Sequence, residues 1–535
     1  MNKIKRYPLH IVTQLSMLAL MLTSCNSYLN ETPDNRAEID SEAKITEILL
    51  SAYPTTYFAL LTELSSDNTD DNGSTYSTIN LLQQQAATWT DVTENGVDSP
   101  YNLWNSCYLA IAAANEALQA IEKAGSPQSL NPQRGEALMC RAYSHFMLTN
   151  VFCKAYSSKT STTDLGVPYV TKPETTVSPH YERGTVEEDY RMMAEDIETA
   201  LPLIDDKLYT VPKYHFNKKA AYAFAARFYL YYMKNDKSNL DKVIDYAGQA
   251  LSGSSSSVLR DWSTLGALSP NDGIRAKAFV NASDKANLML LSTFSIWART
   301  CGAYTAGPRY CHNNMIAEYE TNQYDNALWG NQDNIYFKFY QFNSLPKVVM
   351  DKIPEYFEYT DAVNGIGYTH AIFPAFTTDE CLLNRAEAYA LKGQYDEAIT
   401  DLNTEFHVFT NMTTSVDAAS IAAVYGNYDE STGKGMKYYT PLSPTPKKAL
   451  SPDFTVNEGE QENIIQAILH LRRIMCLHEG LRWFDVKRYG IEIYRRLVVG
   501  GKISVYDTMK KDDPRRALQL PAMVISSGMQ PNPRN

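Results

Sequence analysis

The chain has 535 residues, and at about 150 residues per domain this length predicts three or four domain-sized units. Hydrophobic residues make up 44% and charged residues 21%, a globular balance that excludes a disordered or collagen-like chain. The 49 basic residues against 61 acidic ones give a net charge of −12. An acidic chain lacks the basic surface that nucleic acids require, so we expect no nucleic-acid partner. The 37 tyrosines suit contacts with sugar rings, although tyrosine is also an ordinary core residue.

The N-terminus has the order of features expected of an exported lipoprotein. A positive segment contains Lys3, Lys5 and Arg6, and a mostly apolar stretch from Leu9 to Leu22 follows. This stretch is too short to span a bilayer and ends in Leu22-Thr23-Ser24-Cys25, which resembles a bacterial lipobox. We therefore predict a signal peptide over residues 1–24 and lipid attachment at Cys25, which would tether the rest of the chain to a membrane. An ordinary signal peptide with an incidental cysteine is the alternative.

Apolar residues recur with helical spacing from Ser41 to about residue 251. The helices predicted there include residues 136–152, 185–201, 217–233 and 240–251. Thr185 and Glu188 have the spacing of a capping box at the start of one of them. The regular segments, at about 40–251, 375–405 and 460–495, therefore predict a mostly α-helical scaffold.

One segment also has the spacing of a tetratricopeptide repeat. Its signature residues are Leu382, Ala386, Tyr389, Gly393, Tyr395 and Ala398. A second unit is indicated by Ala226, Tyr229, Val243, Ala247 and Ala250, with a longer turn between its helices. Such units cannot bury their faces alone, so we expect helix pairs to stack beside one another. Generic helical hairpins would produce a similar pattern.

Two stretches interrupt the helical periodicity. About residues 258–345 carry scattered Gly, Asn and Pro among many aromatic residues, and about residues 407–460 are rich in proline. Both stretches predict long loops or short strands laid over the helical body. Long insertions of this kind in a compact protein usually have a function.

No motif for catalysis, a cofactor or a metal site stands out. The histidines are dispersed, and the nucleophile-elbow, Walker, HExxH and dinucleotide-binding patterns are missing from the sequence. Asn68, Asp70, Asn72 and Gly73 fit half of an EF-hand loop, but Ile79 replaces its final glutamate, so a polar turn is the better interpretation. Seven cysteines follow Cys25. Most of them suit buried free thiols, whereas Cys301 and Cys311 are close enough in sequence to close a small loop.

Several short segments occur in a characteristic order along nearly the whole chain. They are Cys25-Asn26-Ser27-Tyr28-Leu29, then Tyr108, Ile111 and Asn115, Arg141-Ala142, Gly166-Val167-Pro168, Arg183, Tyr190 and Asp196, and Ala226-Arg227. The most specific is the block from Glu479 to Arg488, preceded by Arg472. Together they resemble the SusD/RagB family of outer-membrane lipoproteins from the Bacteroidetes. Met475 and Cys476 depart from the residues common in that family, which affects local packing only.

The Glu479–Arg488 block itself favours a structural role. Asp485 and Arg488 are three positions apart, so they can pair on one face of a helix. A catalytic role would require a nucleophile or a base in a cleft, which this block does not supply. We therefore predict a structural ion pair and no enzymatic activity.

The resemblance implies a mostly α, tetratricopeptide-like scaffold with long irregular loops and a few short strands. It also implies a lipid-anchored protein of the outer membrane, facing the cell exterior. Such a protein captures an oligosaccharide and delivers it to a TonB-dependent (SusC-like) transporter. By rough position in the family, the ligand-binding residues would be Asp67, Asn68, Trp89, Trp297, Tyr304 and Trp329. Peptide binding on the same scaffold, as in RagB, and an adaptor without a small ligand are the alternatives.

Overall fold

The computed structural model describes residues 39–176, 179–252 and 256–534, and residues from Glu42 onward belong to one compact unit. The predicted signal peptide and Cys25 lie outside the described residues and stay predictions. The helices are α1 (Glu42–Leu49), α2 (Ala59–Ser65), α3 (Leu81–Ala87), α4 (Pro100–Lys123), α5 (Asn131–Phe152), α6 (Val186–Ala200), α7 (Lys218–Tyr231), α8 (Leu240–Leu251), α9 (Trp262–Ala267), α10 (Ile274–Phe279), α11 (Trp297–Cys301), α12 (Asn314–Glu320), α13 (Thr378–Lys392), α14 (Tyr395–Phe409), α15 (Ala418–Tyr425), α16 (Glu460–Met475), α17 (Arg482–Arg488) and α18 (Ala522–Ser526). The mostly α-helical class predicted from the sequence is confirmed.

Side-chain caps begin two of the helices between residues 100 and 200. The Ser99 hydroxyl accepts a hydrogen bond from the backbone N–H of Asn102 at the start of α4, which satisfies a free donor. Thr185 and Glu188 form the predicted capping box at the start of α6. Helices α5 and α6 pack together, and Arg141 of α5 donates hydrogen bonds of 2.8 and 2.6 Å to Asp196 of α6.

Two helical hairpins correspond to the predicted tetratricopeptide units. Helices α7 and α8 form one, and α13 and α14 form the other. Gly393 ends α13 in a left-handed conformation with φ of +80°, which permits the tight turn into α14. The hairpins stack through α8 and α13, where the Cys381 thiol lies 3.9 Å from the carbonyl oxygen of Ala247. The expected stacking of helix pairs is therefore present.

Three small sheets lie against this scaffold. The strands are β1 (Asp70–Asp71), β2 (Asn287–Phe294), β3 (Tyr310–Cys311), β4 (Tyr340–Gln341), β5 (Val348–Val349), β6 (Glu355–Asp361), β7 (Ile366–Thr377), β8 (Ile493–Val499) and β9 (Lys502–Met509). Strand order is β3-β1-β8-β9 in one sheet and β2-β7-β6 in another, and β4 pairs with β5. All pairs are antiparallel except the short parallel contact between β1 and β8.

The predicted irregular stretches contain more regular structure than expected. Residues 258–345 include the eight-residue strand β2 and four short helices, and α15 lies within residues 407–460. The 12-residue strand β7 and the hairpin of β8 and β9 lie almost entirely outside the predicted segments. Strand β2 pairs with β7 about 80 residues later in the chain, and such long-range pairing leaves no local sequence period.

The Glu479–Arg488 block forms part of a buried ion network. Glu387 accepts hydrogen bonds from Arg472 and Arg488 at 2.5 and 2.6 Å and from the Tyr489 hydroxyl at 2.7 Å. Asp485 accepts from the same two arginines at 3.0 and 3.1 Å. The predicted pairing of Asp485 with Arg488 is confirmed, and the whole cluster is buried. The cluster therefore links α13, α16 and α17 in the protein interior and does not lie on a solvent-exposed helix face.

Candidate functional site

Two of the predicted binding residues, Asp67 and Asn68, lie inside the protein. Asp67 accepts hydrogen bonds of 2.8 and 2.9 Å from Arg482, and its carbonyl oxygen accepts one of 2.7 Å from Arg473. Asn68 is fully buried and donates to Glu63 at 3.0 Å while accepting from Arg473 at 2.8 Å. Coulombic attraction from Arg473 and Arg482 outweighs burial and holds the pKa of Asp67 well below its usual range. Both side chains are thus committed to internal partners.

The half EF-hand pattern that follows these residues is also used internally. Asp70 accepts hydrogen bonds of 2.9 and 2.7 Å from Arg496, and Asn72 donates one of 3.0 Å to the carbonyl oxygen of Pro308. Within the described part of the chain, no group of three or more His, Cys, Asp or Glu residues is arranged to hold a metal ion.

The three predicted tryptophans are buried as well. The Trp89 indole N–H donates to the carbonyl oxygen of Ser65 at 2.8 Å, and that of Trp297 donates to the carbonyl oxygen of His478 at 2.7 Å. The Trp329 ring is 1% exposed and packs 4.9 Å from the His470 ring. Trp297 and Trp329 are covered by protein, and Trp89, at 7% exposure, borders only a narrow cavity of about 20 Å³. None of the three rings presents an open face on which a sugar can stack.

Tyr304 is the predicted residue that reaches the surface. It is 42% exposed and lines an open cavity of about 810 Å³. Aliphatic side chains line part of this cavity, and the aromatic and polar side chains in its lining are Tyr304, Tyr340, Phe342, Asn271, Asp272, Lys277, Gln341, Asn343, Asp351 and Glu355. A cavity of this size with aromatic walls and a few polar groups is typical of small-molecule sites.

A buried lysine shapes the loop that carries Tyr304. The Lys347 ammonium donates hydrogen bonds to the carbonyl oxygens of Tyr304 and Ala306 at 2.8 and 2.7 Å. It also reaches the carbonyl oxygens of Arg299 and Gly302 at 3.3 and 3.4 Å. Lys347 is only 1% exposed, and this burial lowers the pKa of its ammonium group. The Lys347 ammonium therefore contacts four backbone carbonyl oxygens and holds in place the loop that carries Tyr304.

The deepest polar group of the cavity is Asp351. This residue is 6% exposed, and its Oδ2 atom has no hydrogen-bond partner among the described residues. Burial raises its pKa to about 6, against the opposing effect of Arg275. The Arg275 guanidinium stacks 4.1 Å from the Phe337 ring, and its Nε and Nη2 atoms also lack partners in the described part of the chain. Asp351 thus brings a buried carboxylate, one oxygen of which is unpaired among the described residues, to the lining of this cavity.

A second cavity, of about 510 Å³, shares Gln341 with the first. Its lining is rich in amides and includes Asn72, Tyr76, Asn313 and Asn314. The hairpin of β4 and β5 contributes residues to both cavities, because Gln341 belongs to β4. The two cavities therefore flank one short hairpin.

The sequence predicts a functional role for the aromatic-rich stretch of residues 258–345, which contains Tyr304 and Tyr340. Lys347 and Asp351 lie just beyond that stretch and carry no local motif. Their roles depend on burial, which is decided by distant segments. All seven cysteines after Cys25 are free and buried, so Cys301 and Cys311 do not form a disulfide.

Two family models together match most of the chain. A model described as "SusD family" matches residues 220–520, and one described as "Starch-binding associating with outer membrane" matches residues 27–230. No curated protein matches the sequence significantly. Within the described ranges, every helix is too short or too polar to cross a membrane.

Solved structures share the fold at low sequence identity. A putative sugar-binding protein from Bacteroides vulgatus aligns with a TM-score of 0.64 at 18% identity, covering 93% of this chain and 99% of that one. A SusD superfamily protein from Bacteroides thetaiotaomicron aligns with a TM-score of 0.61 at 19% identity, covering 92% and 98%. A SusD-like carbohydrate-binding protein from Bacteroides vulgatus has a TM-score of 0.54 at 16% identity, covering 88% and 89%.

Proposed function

This chain belongs to the SusD family, and from that premise we propose that it is a glycan-binding lipoprotein of the outer membrane. In this proposal it captures an oligosaccharide in the cavity beside Tyr304 and delivers it to a SusC-like, TonB-dependent transporter. The family supports carbohydrate binding associated with the outer membrane. The observation that carries the proposed site is an exposed tyrosine in the lining of an open cavity that also includes the buried carboxylate of Asp351.

The chemistry of the cavity suits a sugar. A pyranose ring presents C–H faces that pack against aromatic rings such as Tyr304 and Tyr340, and its hydroxyls need hydrogen-bond partners. Asp351 would accept hydrogen bonds from two such hydroxyls, and bonds to a charged acceptor are stronger than bonds between neutral groups. Asn271 and Asn343 add amide donors and acceptors at the cavity wall. The site is thus assigned to Tyr304, Tyr340 and Asp351.

In this proposal the six residues predicted from the sequence have two different roles. Tyr304 is retained as a ligand contact, whereas the tryptophans and the pair of Asp67 and Asn68 are buried structural residues. Trp297 belongs to α11, which leads directly into the loop of Tyr304.

Binding can be tested with residues 26–535, purified without lipid, against a panel of oligosaccharides and peptides by calorimetry. We expect saturable binding of one glycan class. Tyr304→Ala should weaken it about fivefold to tenfold, and Asp351→Asn about tenfold or more. Tyr428→Ala is the matched control, because Tyr428 is 40% exposed and lies outside both cavities. Binding of peptides alone would favour the RagB-like alternative, and no binding at all would favour the adaptor.

The membrane anchor and the partner need their own experiment. We expect the full chain to carry lipid on Cys25 and to co-purify with a TonB-dependent barrel from outer membranes. Cys25→Ser should release the protein from the membrane fraction while leaving glycan binding unchanged. Recovery of the unmodified variant in the membrane fraction would contradict the anchor.

The absence of catalysis is part of the same proposal. A bound oligosaccharide should be recovered intact after prolonged incubation with the protein, as judged by chromatography of the sugar. Shortened products that disappear with Asp351→Asn would instead assign a hydrolytic role to this cavity.

A further inference from the structure

A smaller cavity, of about 120 Å³, has a different lining from the two cavities around the β4–β5 hairpin. It is formed by residues 154–160, 451–454 and 511–516 together with the end of α17. Cavities that hold drug-sized ligands usually measure about 300 Å³ or more, so this one suits only a small ion or molecule.

Lys487 lines this cavity as a buried cation. It is 8% exposed, and its ammonium donates hydrogen bonds of 2.6 Å to the carbonyl oxygens of Asn150 and Cys153. An ammonium has three N–H donors, so one remains for another acceptor. Burial, together with the positive charge of Arg516, lowers the pKa of Lys487 to about 7.

Two arginines border the same cavity. Arg516 is 5% exposed and donates to backbone carbonyl oxygens, among them those of Lys510 and Val486 at 2.7 and 2.9 Å. Arg488 pairs with carboxylates through its terminal nitrogens, but its Nε atom has no partner among the described residues. For Lys487 and Arg516, every hydrogen-bond acceptor found in the described part of the chain is a neutral carbonyl oxygen.

The acidic residues of the cavity are occupied elsewhere or exposed. Asp453 accepts from Lys511 at 2.8 Å, and Asp513 accepts from Arg515 at 2.7 Å. Asp512 is exposed to solvent. Burying a cation without a counter-charge is costly, and two such cations repel each other across the cavity.

We propose that this cavity is a binding site for a small oxyanion of the size and charge of sulfate or phosphate, held by Lys487 with Arg516 and Arg488 beside it. The anion accepts a hydrogen bond from the remaining N–H of Lys487 and supplies a directly bonded counter-charge, which Lys487 and Arg516 do not have among the described residues. Charge-assisted hydrogen bonds of this kind are the strong ones in proteins. The proposal is independent of the glycan site.

Selenate tests the location directly, because it has the shape and charge of sulfate and scatters X-rays anomalously. Crystals of residues 26–535 grown with selenate at pH 6 should show an anomalous peak in this cavity, within hydrogen-bond distance of the Lys487 ammonium. Selenate peaks confined to the outer surface, with none in the cavity, would overturn the proposal.

Sulfate titrations test the energetics in solution. At constant ionic strength, with chloride as the reference salt, sulfate should raise the melting temperature saturably at pH 6. The affinity should fall about tenfold by pH 8, because the folded ammonium has lost its proton while sulfate keeps its charge. A response that does not saturate, or that equals the chloride reference, would also overturn the proposal.

Variants separate this site from general salt effects. Lys487→Met should abolish the sulfate response, and Asp453→Asn, which removes a negative charge from the lining, should strengthen sulfate binding about twofold to fivefold. Asp453 is partly exposed, so we expect Asp453→Asn to fold. This variant therefore tests the site even if Lys487→Met does not fold. The exposed Lys338→Met serves as the control and should behave as wild type. Unchanged sulfate affinity in Asp453→Asn together with a wild-type response in Lys487→Met would contradict the site.

Discussion

Arg482 donates hydrogen bonds of 2.8 and 2.9 Å to the carboxylate of Asp67, which lies 415 positions earlier in the chain. Both residues are buried, and Arg473 and Lys448 also lie within 4.0 Å of this carboxylate. The pair joins α17 to the segment after α2. This contact places the Glu479–Arg488 block and Asp67 together in one structural unit, although they are far apart in the sequence.

We expect Asp67→Asn to destabilise the fold by about 3–5 kcal/mol, because removing one partner leaves buried arginines without their counter-charge. Urea unfolding of residues 26–535 at pH 7 measures the change. Glu195→Gln is the control, since Glu195 pairs with Arg191 on an exposed helix face and should change stability by less than about 1 kcal/mol. Equal effects of the two variants would contradict a structural role for the buried pair.

The same carboxylate makes stability depend on acid pH. The pKa of Asp67 is lowered in the folded state, so the folded protein binds fewer protons than the unfolded chain as pH falls below the ordinary value of 3.8. The stabilisation is therefore present above pH 3.8 and is lost as pH falls through the folded pKa. We expect the difference between wild type and Asp67→Asn to shrink below pH 3.8, as measured by urea unfolding over a series of pH values.

Lys347 should act on ligand binding through the loop of Tyr304. Lys347→Met removes the ammonium that gathers four carbonyl oxygens, so each freed carbonyl must find water or remain unpaired. We expect weaker glycan binding, by about tenfold, together with some loss of stability. Lys338→Met is the matched control, because Lys338 pairs with Asp333 on the exposed surface. Wild-type affinity in Lys347→Met would show that the loop keeps its shape without the cation.

Glycan binding should weaken in acid because of Asp351. Its pKa of about 6 means that the carboxylate gains a proton as pH falls through that value. The proposed hydroxyl contacts need the charged form, so affinity should fall about tenfold between pH 7 and pH 5. Calorimetry at several pH values measures this change, and in Asp351→Asn the dependence should vanish. The groups that face Asp351 are Arg275, Tyr304, Tyr340 and Cys301, and Arg275 acts on its charge most directly.

If the variant keeps the same pH dependence as wild type, Asp351 is not the titrating contact. Weaker binding in Tyr304→Ala would still support the glycan site in that case. If the wild-type protein bound no glycan at any pH, that result would instead contradict the proposed function.

The cysteines provide a test of the fold itself. All seven after Cys25 are buried and free, and burial raises the pKa values of Cys153 and Cys311 to about 12. A buried thiol with a raised pKa reacts slowly, because the thiolate is the nucleophile. We expect native residues 26–535 to react very slowly with a thiol reagent and the unfolded chain to expose seven thiols. Five thiols after unfolding without reductant would indicate that Cys301 and Cys311 are paired.

The sequence by itself determined the features that depend on neighbouring residues. Helical periodicity places α5, α7 and α8, the capping box of Thr185 and Glu188 begins α6, and Gly393 ends α13 because it tolerates a positive φ. These signals act within one or two helical turns, so they can be read from a short window. The order of the motifs likewise indicated the family.

Which side chains line the candidate cavity depends on the tertiary structure. Trp297, Trp329 and Asp67 have the composition of a sugar site, yet each is covered by segments far away in the chain, such as His478, His470 and Arg482. Asp351 carries no motif, and its importance arises because burial leaves one oxygen unpaired beside a cavity. Exposure is a property of the packed whole, since it depends on contacts between residues hundreds of positions apart.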